Sequence, residues 1–390
     1  MEAVVLAGGE GSRLRPLTER RPKPLLHVAN RPIVEYVLDA LVRAGIDRIT
    51  LVVGYRGDRV RTHLGSSFRG VDLTYVTQEN QLGSGHALLQ ARDVVESDPF
   101  LVVNGDNVID ATVVTDTIET HETSDAVATA AVATSPHPQD YGAVVADKGY
   151  IEAVIENPVE APSHAVNAGL YVLPHAIFDA LAETESRNGD LHLTDALMNL
   201  PGQIRRAQSD GAWLDPSYPW ELLEVTEELL REHGDLVGNT REPVVADSAR
   251  VHETAVVEAP VVLGEDCRIG PGAVVRRGSC LGENVRVGPG AIVTRSVVGA
   301  DAEVGANAVI HDSVLGEGVT VGPGATLSSG EVDLPVDGCV YPVKVGSLFG
   351  DRASVGGNAT CRPGTRFGTG ANAAPGTVIQ GTVEANVEVI

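Results

Sequence analysis

The sequence predicts two structural classes in one chain of 390 residues. Residues 1–235 read as an α/β domain with a mixed, mostly parallel sheet, and residues 245–390 as a parallel β-helix, with a linker over 236–244. Two observations carry this division. In the first part, short apolar runs alternate with helix-like segments, the order that builds a sheet covered by helices. In the second part, apolar residues recur every six positions, and 24 of the 43 glycines lie there.

In the first part, Glu2–Leu6 is an apolar run that breaks into glycines. Ile33–Leu41 carries helical spacing, while Ile49–Val53 and Asp72–Thr77 are β-branched runs. Phe100–Val103 stops at Asn104-Gly105-Asp106. Ligands of such sheets bind where strands end and helices begin. Trp220–His233 reads as an amphipathic helix closing this domain. In the second part the period-six positions run from Val245 and Val251 through Leu281, Val287 and Val293. They continue, after two one-residue slips, through Val298, Val304 and Ile310 to Leu315, Val321 and Leu327. Residues 328–348 interrupt the pattern as a loop insertion, and Phe349, Val355, Cys361, Phe367, Ala373 and Ile379 resume it. Twenty-one such positions imply about seven coils of three short strands each, a prism on the order of 30 Å long.

The charge balance is 53 acidic against 29 basic residues, a formal net −24. That is a poor match for nucleic acid or an anionic membrane. No apolar run reaches the length of a membrane-crossing helix, and the N-terminus lacks a basic start and a small-residue cleavage site. The four cysteines form no C-x-x-C pair and no zinc pattern. A cytoplasmic protein fits these features. Only Lys23, Lys148 and Lys344 are lysine and the other 26 basic residues are arginine, which with the acidity reads as the solvated surface of a halophile.

Directly after the first strand stands Leu6-Ala7-Gly8-Gly9-Glu10-Gly11-Ser12-Arg13-Leu14-Arg15-Pro16-Leu17-Thr18. A glycine cluster after a strand lets backbone N–H groups approach phosphate oxygens. Leu14 occupies the place of the third glycine of a dinucleotide fingerprint, and no Gly-Lys-Ser/Thr follows, so neither that motif nor a Walker loop is present. Arg13 and Lys23 set fixed positive charge beside the loop. A lysine in a chain that otherwise prefers arginine points to a need for a compact ammonium.

This stretch, LAGGEGSRLRPLTERRPKPL, resembles the signature of sugar-1-phosphate nucleotidylyltransferases, and further motifs follow in order over residues 1–235. The resemblance implies a Rossmann-like nucleotidyltransferase domain. It implies transfer of a nucleotidyl group from dTTP or UTP to a hexose 1-phosphate, with release of pyrophosphate after in-line attack on the α-phosphate. Leu6, Ala7, Gly8, Gly9, Gly11 and Ser12 would bind the nucleotide. Gln78 and Gly83 would be the contacts that read a pyrimidine base, and Ser84 beside them would bind the nucleotide. Arg13 would hold the β- and γ-phosphates, and Lys23 would bridge the α-phosphate and the sugar phosphate. Asp106, in Asn104-Gly105-Asp106-Asn107, and Asp215, in Trp213-Leu214-Asp215, would hold Mg²⁺, which prefers carboxylates plus substrate phosphates. Gly142, Glu156 and Asn167 match sugar-phosphate-binding positions. One departure is Asn157, where many relatives carry a lysine, and it leaves the sugar open.

The repeat region resembles the left-handed β-helix of hexapeptide-repeat acyltransferases, which implies a homo-oligomer, in particular a trimer. The whole plan resembles bifunctional enzymes that also N-acetylate an amino sugar 1-phosphate with acetyl-CoA. The His, Tyr and Asn used there fall on Ala306, Val309 and Ser329, so the constellation is missing. His311 stands nearby at another place in the coil, and Lys344 is the one lysine of the repeat region. The expected activity is nucleotidyl transfer, with the β-helix as an assembly and regulatory module. The alternatives are a bifunctional enzyme and a non-catalytic regulatory subunit; the latter would be expected to lose Arg13, Lys23 or the metal aspartates, and all are present.

Overall fold

The computed structural model describes residues 1–156, 158–187, 189–238, 241–336 and 338–390. Asn157 and part of the expected linker, Asn239-Thr240, lie outside the described residues. The chain divides into two compact units, residues 1–10 with 33–214, and residues 11–32 with 215–390.

The first unit is built on one mixed sheet. Its main strands are β1 (Ala3–Ala7), β2 (Ile49–Val53), β3 (Val71–Thr77), β4 (Phe100–Asn104), β5 (Ala128–Thr134), β6 (Gly142–Asp147), β7 (Tyr150–Glu156), β8 (Ala165–Leu173) and β9 (Ile204–Gln208). They lie in the order β6-β7-β9-β5-β8-β4-β1-β2-β3, with the two-residue strand Ser67–Phe68 at the far edge. β1 and β2 are buried along their whole length, as continuous apolar runs in a doubly covered parallel sheet should be. The expected strands and the helix α1 (Ile33–Arg43) are present within a residue or two of their predicted bounds.

The parallel share is smaller than the sequence suggested. Only β4-β1-β2-β3 and the pair β5–β9 run parallel, while β8 runs antiparallel to both β4 and β5, and β6, β7 and β9 pair antiparallel. The reason is local. β6 and β7 are joined by the tight turn Lys148-Gly149, with both residues at positive φ, and a two-residue turn joins only antiparallel strands.

The second unit contains three stacks of short parallel strands, eight, eight and seven deep, consistent with a left-handed β-helix. The period-six residues fill its interior. From Leu263 to Ile379 each is buried, whereas Val245 and Val251 in the first coil are exposed. The pattern runs past its predicted end, through strands Thr382–Val383 and Glu388–Val389. Phe349 and Phe367 stack in the core with ring centroids 4.4 Å apart. The insertion at 328–348 is a hairpin, Gly330–Val336 against Cys339–Val345. The helix Glu221–Glu232, predicted to close the α/β domain, groups with the β-helix, where Glu227 accepts from Arg295 Nε at 2.7 Å.

Candidate active site

In the α/β unit, β1 ends at Ala7 and the chain turns at Gly8, whose carbonyl accepts from the Tyr55 N–H at 3.0 Å. A Cβ on Gly8 would come within 2.7 Å of Gln78 Oε1, so glycine is what lets this backbone lie against the Gln78 amide. Leu6 and Ala7 are buried, and Gly9 is exposed with open space where a side chain would stand. Gln78, just past the end of β3, is 4 % exposed. Its Nε2 donates to the Gly83 carbonyl at 3.2 Å and lies 3.0 Å from His86 Nδ1. A carbonyl only accepts, so the amide nitrogen must face Gly83. His86 Nδ1 is then the acceptor, and Gln78 Oε1 is left as the amide's own acceptor. Gly83 has φ +93° and no room for a side chain, because a Cβ would lie 2.5 Å from the Leu191 carbonyl oxygen. Of the three expected base-side residues, Gln78 and Gly83 meet. The Ser84 hydroxyl is committed to the Leu193 N–H at 3.1 Å. His86, to which the sequence assigned no role, is the residue that orients Gln78.

Beyond β4, Gly105 donates to the Leu6 carbonyl at 2.8 Å, holding the turn that presents the half-buried Asp106. The neighbouring Asn107 Oδ1 is buried without a hydrogen-bond partner. Val108–Ile109 pairs antiparallel with Trp213–Leu214, and Asp215 is the next residue of the chain. Asp110 caps the helix Ala111–Glu122 through Thr112 N at 2.8 Å and also accepts from Ala212 N at 2.9 Å, which pins the 212–214 strand.

The sugar-side candidates gather on β6, β7 and β8. Gly142 stands opposite Glu156 in the ladder, and a Cβ on it would lie 3.1 Å from a Glu156 carboxylate oxygen. Thr194 donates to Glu156 at 2.8 Å, and Asn167 Nδ2 donates to Tyr171 Oη at 2.6 Å. Burial pushes the Tyr171 phenol well above its ordinary value; Asn167's hydrogen bond opposes this and the Glu156 charge adds to it. Trp213 donates to the Ala168 carbonyl at 2.8 Å and meets Tyr141 edge-on at 5.6 Å. Glu156 and Asn167 are therefore anchored polar groups, with aromatic side chains that the motifs only partly announced.

In the second unit, residues 11–32 form an arm that carries the cations. Gly11 has φ +63°, and a Cβ on it would lie 2.9 Å from Lys23 Cβ. Its carbonyl accepts from Thr18 Oγ1 at 2.7 Å, which closes the turn holding Ser12, exposed, and Arg13, half-buried. Lys23, 7 % exposed, donates to Asp215 Oδ1 at 2.7 Å, while Ser217 Oγ donates to Asp215 Oδ2 at 2.9 Å. The sequence named Lys23 and Asp215 separately, and the structure joins them as an ion pair in a nearly buried place. Burial, with the Asp215 charge adding to it, pushes the Glu221 carboxyl up to about 8, against hydrogen bonds from Ser217 N and Tyr218 N.

The arm is fastened to the β-helix by Arg21, which the sequence reading passed over. Its guanidinium reaches Glu317 at 2.8 Å and Asp351 at 2.9 Å, with Asp351 only 6 % exposed. Glu19 accepts from Thr369 N at 3.0 Å, and Asn30 donates to the Leu281 carbonyl.

Oxygen donors on this side of the sheet are of the kind a hard divalent metal prefers. In the first unit Asp106 offers a carboxylate, and the next residue in the chain, Asn107, carries a buried Oδ1 with no hydrogen-bond partner. Among the described residues no three acidic, histidine or cysteine side chains form a metal cage.

In the β-helix, His311 is half-buried in the strand Val309–His311, and Ser329 donates to Asp312 Oδ2. Ala306 and Val309 bring no titratable group. Lys344 is exposed, opposite Glu331 in the hairpin ladder.

The fold and these residues define a nucleotidyl transferase. The family described as Nucleotidyl transferase matches residues 2–232, and the chain belongs to it. A second match, to the GMPPB C-terminal domain, covers residues 240–338. The chain is 38 % identical over 60 % of its length to the low-salt glycan biosynthesis nucleotidyltransferase Agl11 of Haloferax volcanii, covering 67 % of that protein. It is 35 % identical over 60 % of its length to the bifunctional protein GlmU of Methanococcus maripaludis, of which it spans only 55 %. Among solved structures, a UDP-glucose pyrophosphorylase from Acinetobacter baumannii aligns with TM-score 0.52 and 27 % identity, over 60 % of this chain and 95 % of that one.

Proposed function

We propose that this chain is a sugar-1-phosphate nucleotidylyltransferase, joining UTP or dTTP to a hexose 1-phosphate and releasing pyrophosphate. The observation that carries the reading is the division of labour along one sheet. An amide fixed as an acceptor stands past β3, a carboxylate past β4, and an anchored polar cluster on β6 to β8. An acceptor at Gln78 Oε1 suits the N3–H of uracil or thymine and opposes the bare N3 of cytosine.

In this reading the 1–235 module carries the chemistry. The backbone of Leu6 to Gly9, with Gly11 and Ser12, approaches the nucleotide phosphates, and Gln78, Gly83 and the backbone at Ser84 read the base. Gly142, Glu156 and Asn167 orient the sugar phosphate. Arg13 takes charge accumulating on the leaving pyrophosphate, and Lys23 neutralises the repulsion between the two phosphate anions as they are brought into line. Asp106 and Asp215 would hold Mg²⁺, whose part is to neutralise phosphate charge. Lys23 and Asp215 keep one another in place before substrate arrives, so neither rotamer has to be found at the moment of reaction.

The β-helix serves assembly as a trimer and support of the arm, in a cytoplasmic, high-salt setting. Acetyl transfer is disfavoured by Ala306, Val309 and Ser329 at the positions where a His, a Tyr and an Asn are needed. The test is pyrophosphate release with Mg²⁺ in multimolar KCl, for UTP, dTTP, GTP and CTP against common hexose 1-phosphates. Turnover confined to UTP and dTTP is expected, and no turnover anywhere sinks the enzyme claim. Acetyl-CoA consumption with glucosamine 1-phosphate, lost in His311→Ala, would overturn the single-activity reading. Light scattering showing a monomer would remove the trimer.

A further inference from the structure

The β-helix does not need its hairpin. Across the insertion the coils stack without a gap, Leu315 on Phe349 and Leu327 on Cys361, all four buried. A 16-residue excursion between Gly330 and Val345 that leaves the core unaffected calls for another explanation.

The hairpin is docked by Leu334, 4 % exposed, which packs so closely on Gly364 that a Cβ there would lie 2.8 Å from Leu334 Cδ2. Arg366 donates to the Pro335 carbonyl at 3.0 Å. Opposite Leu334 in the ladder stands Tyr341. Its ring lies 4.6 Å from that of Tyr218 and 5.7 Å from that of Trp220, and the two phenol oxygens are 2.5 Å apart. Tyr218 and Trp220, 3 % and 5 % exposed, stack face to face at 5.0 Å. The Arg13 guanidinium lies over the Tyr218 ring, 5.8 Å from its centroid.

The chain of contact is therefore hairpin to Tyr341, Tyr341 to Tyr218, Tyr218 to Arg13. An arginine side chain is long and loses much rotamer freedom when it must point one way. A cation over an aromatic face is held electrostatically, but only as firmly as the ring itself is held. Tyr218 is held on its face by Trp220, and at its hydroxyl and edge by Tyr341.

We propose that Tyr341 is a positioning residue for Arg13, and that the hairpin exists to present it. The inference rests on the reading of Arg13 as the group that holds the nucleotide phosphates. With Tyr341 shortened, Arg13 would sample more directions and phosphate capture would weaken, while the base and sugar contacts would be unaffected.

The test uses the full chain with Arg13→Ala, Tyr341→Ala, Tyr341→Phe and the Arg13/Tyr341 double alanine variant, each measured by pyrophosphate release. Arg13→Ala should lose on the order of a hundredfold in kcat/KM. Tyr341→Ala should lose roughly tenfold, mainly as a raised KM for the triphosphate, with the KM for the sugar phosphate unchanged. Tyr341→Phe keeps the ring and should stay within about threefold. In the Arg13→Ala background, removing Tyr341 should cost nothing more. Trp220 supplies a second readout: in Trp213→Phe, where it is the one remaining tryptophan, its emission should shift when Tyr341 is removed. Should Tyr341→Ala not fold, Tyr341→Leu and replacement of 331–344 by a short Gly-Ser turn take its place, with the same expected loss. Wild-type KM in the Tyr341 variants, or an equal loss with and without Arg13, overturns the positioning role alone. Full activity in Arg13→Ala overturns the reading of Arg13 and the proposal with it.

Discussion

The two units hide apolar side chains by different periods, and the difference decides what each is good for. In the α/β unit, strands of five to nine residues end at loops that need not resemble one another, so Gln78, Asp106 and Glu156 stand on separate loops or strands. Gln78 and Glu156 are each held by neighbours of their own. In the β-helix unit every coil repeats the one below, and the interior is a column of Val, Ile, Leu, Ala and Phe. Such a column offers little variety for chemistry, but it is a stiff frame built from nearest-neighbour stacking. Residues 11–32, with Arg13 and Lys23, group with that frame although they follow the first strand of the other unit. Under the proposed function the varied loops would read the substrates, while Arg13 and Lys23 are carried by the unit that holds the repeats.

The sharpest way to break that comparison is Asp106→Ala. Activity should fall by roughly a thousandfold or more while circular dichroism and oligomer size stay unchanged. Retained turnover would refute the metal assignment in the α/β unit.

Next comes Arg21→Met, which removes the bolt between arm and frame. It leaves the buried Asp351 with the Glu317 N–H but no cation, so stability should fall by about 3 kcal/mol, with a further loss in kcat; Arg21→Lys should restore part of each. A lower unfolding midpoint with unchanged kcat would mean that the frame does not position the arm.

A smaller effect is expected for His86→Phe. It frees the Gln78 amide to rotate, and the preference for UTP over CTP should drop by roughly three- to tenfold in kcat/KM. An unchanged ratio would show that Gly83 alone holds the amide.

The smallest test concerns the thiols. Burial pushes Cys280 and Cys361 up to about 12 and raises Cys267 as well, so at pH 8 they stay protonated and inert, whereas Cys339 at the hairpin end is exposed. Ellman's reagent should titrate one thiol per native chain and four after denaturation. More than one in the native state would mean that the β-helix opens.

Much of this was legible beforehand. The period-six positions located the β-helix core almost residue for residue, because each coil repeats a local rule, and the break at 328–348 located the hairpin. Gln78, Gly83, Lys23 and Asp215 were named by motif, and the structure brings Gln78 to Gly83 and Lys23 to Asp215. His86, Arg21, Tyr218 and Tyr341 were not, because none sits in a pattern that announces it. An arginine among 26 and a tyrosine among eight carry no local signal. The mostly parallel sheet was over-read for a related reason: apolar runs mark strands, but only the turns between them set direction.

By itself the sequence determined the two architectures, the glycine-rich turn after the first strand and the class of chemistry, all of which depend on near neighbours: periodicity, glycines where the backbone must bend, and charge beside a strand end. Tertiary structure decided the partnerships. Lys23 meets Asp215 across 192 residues, and Arg21 meets Asp351 across 330. Such pairs exist only once folding has excluded water and made each charge depend on the other, and no spacing along the chain encodes which two will meet.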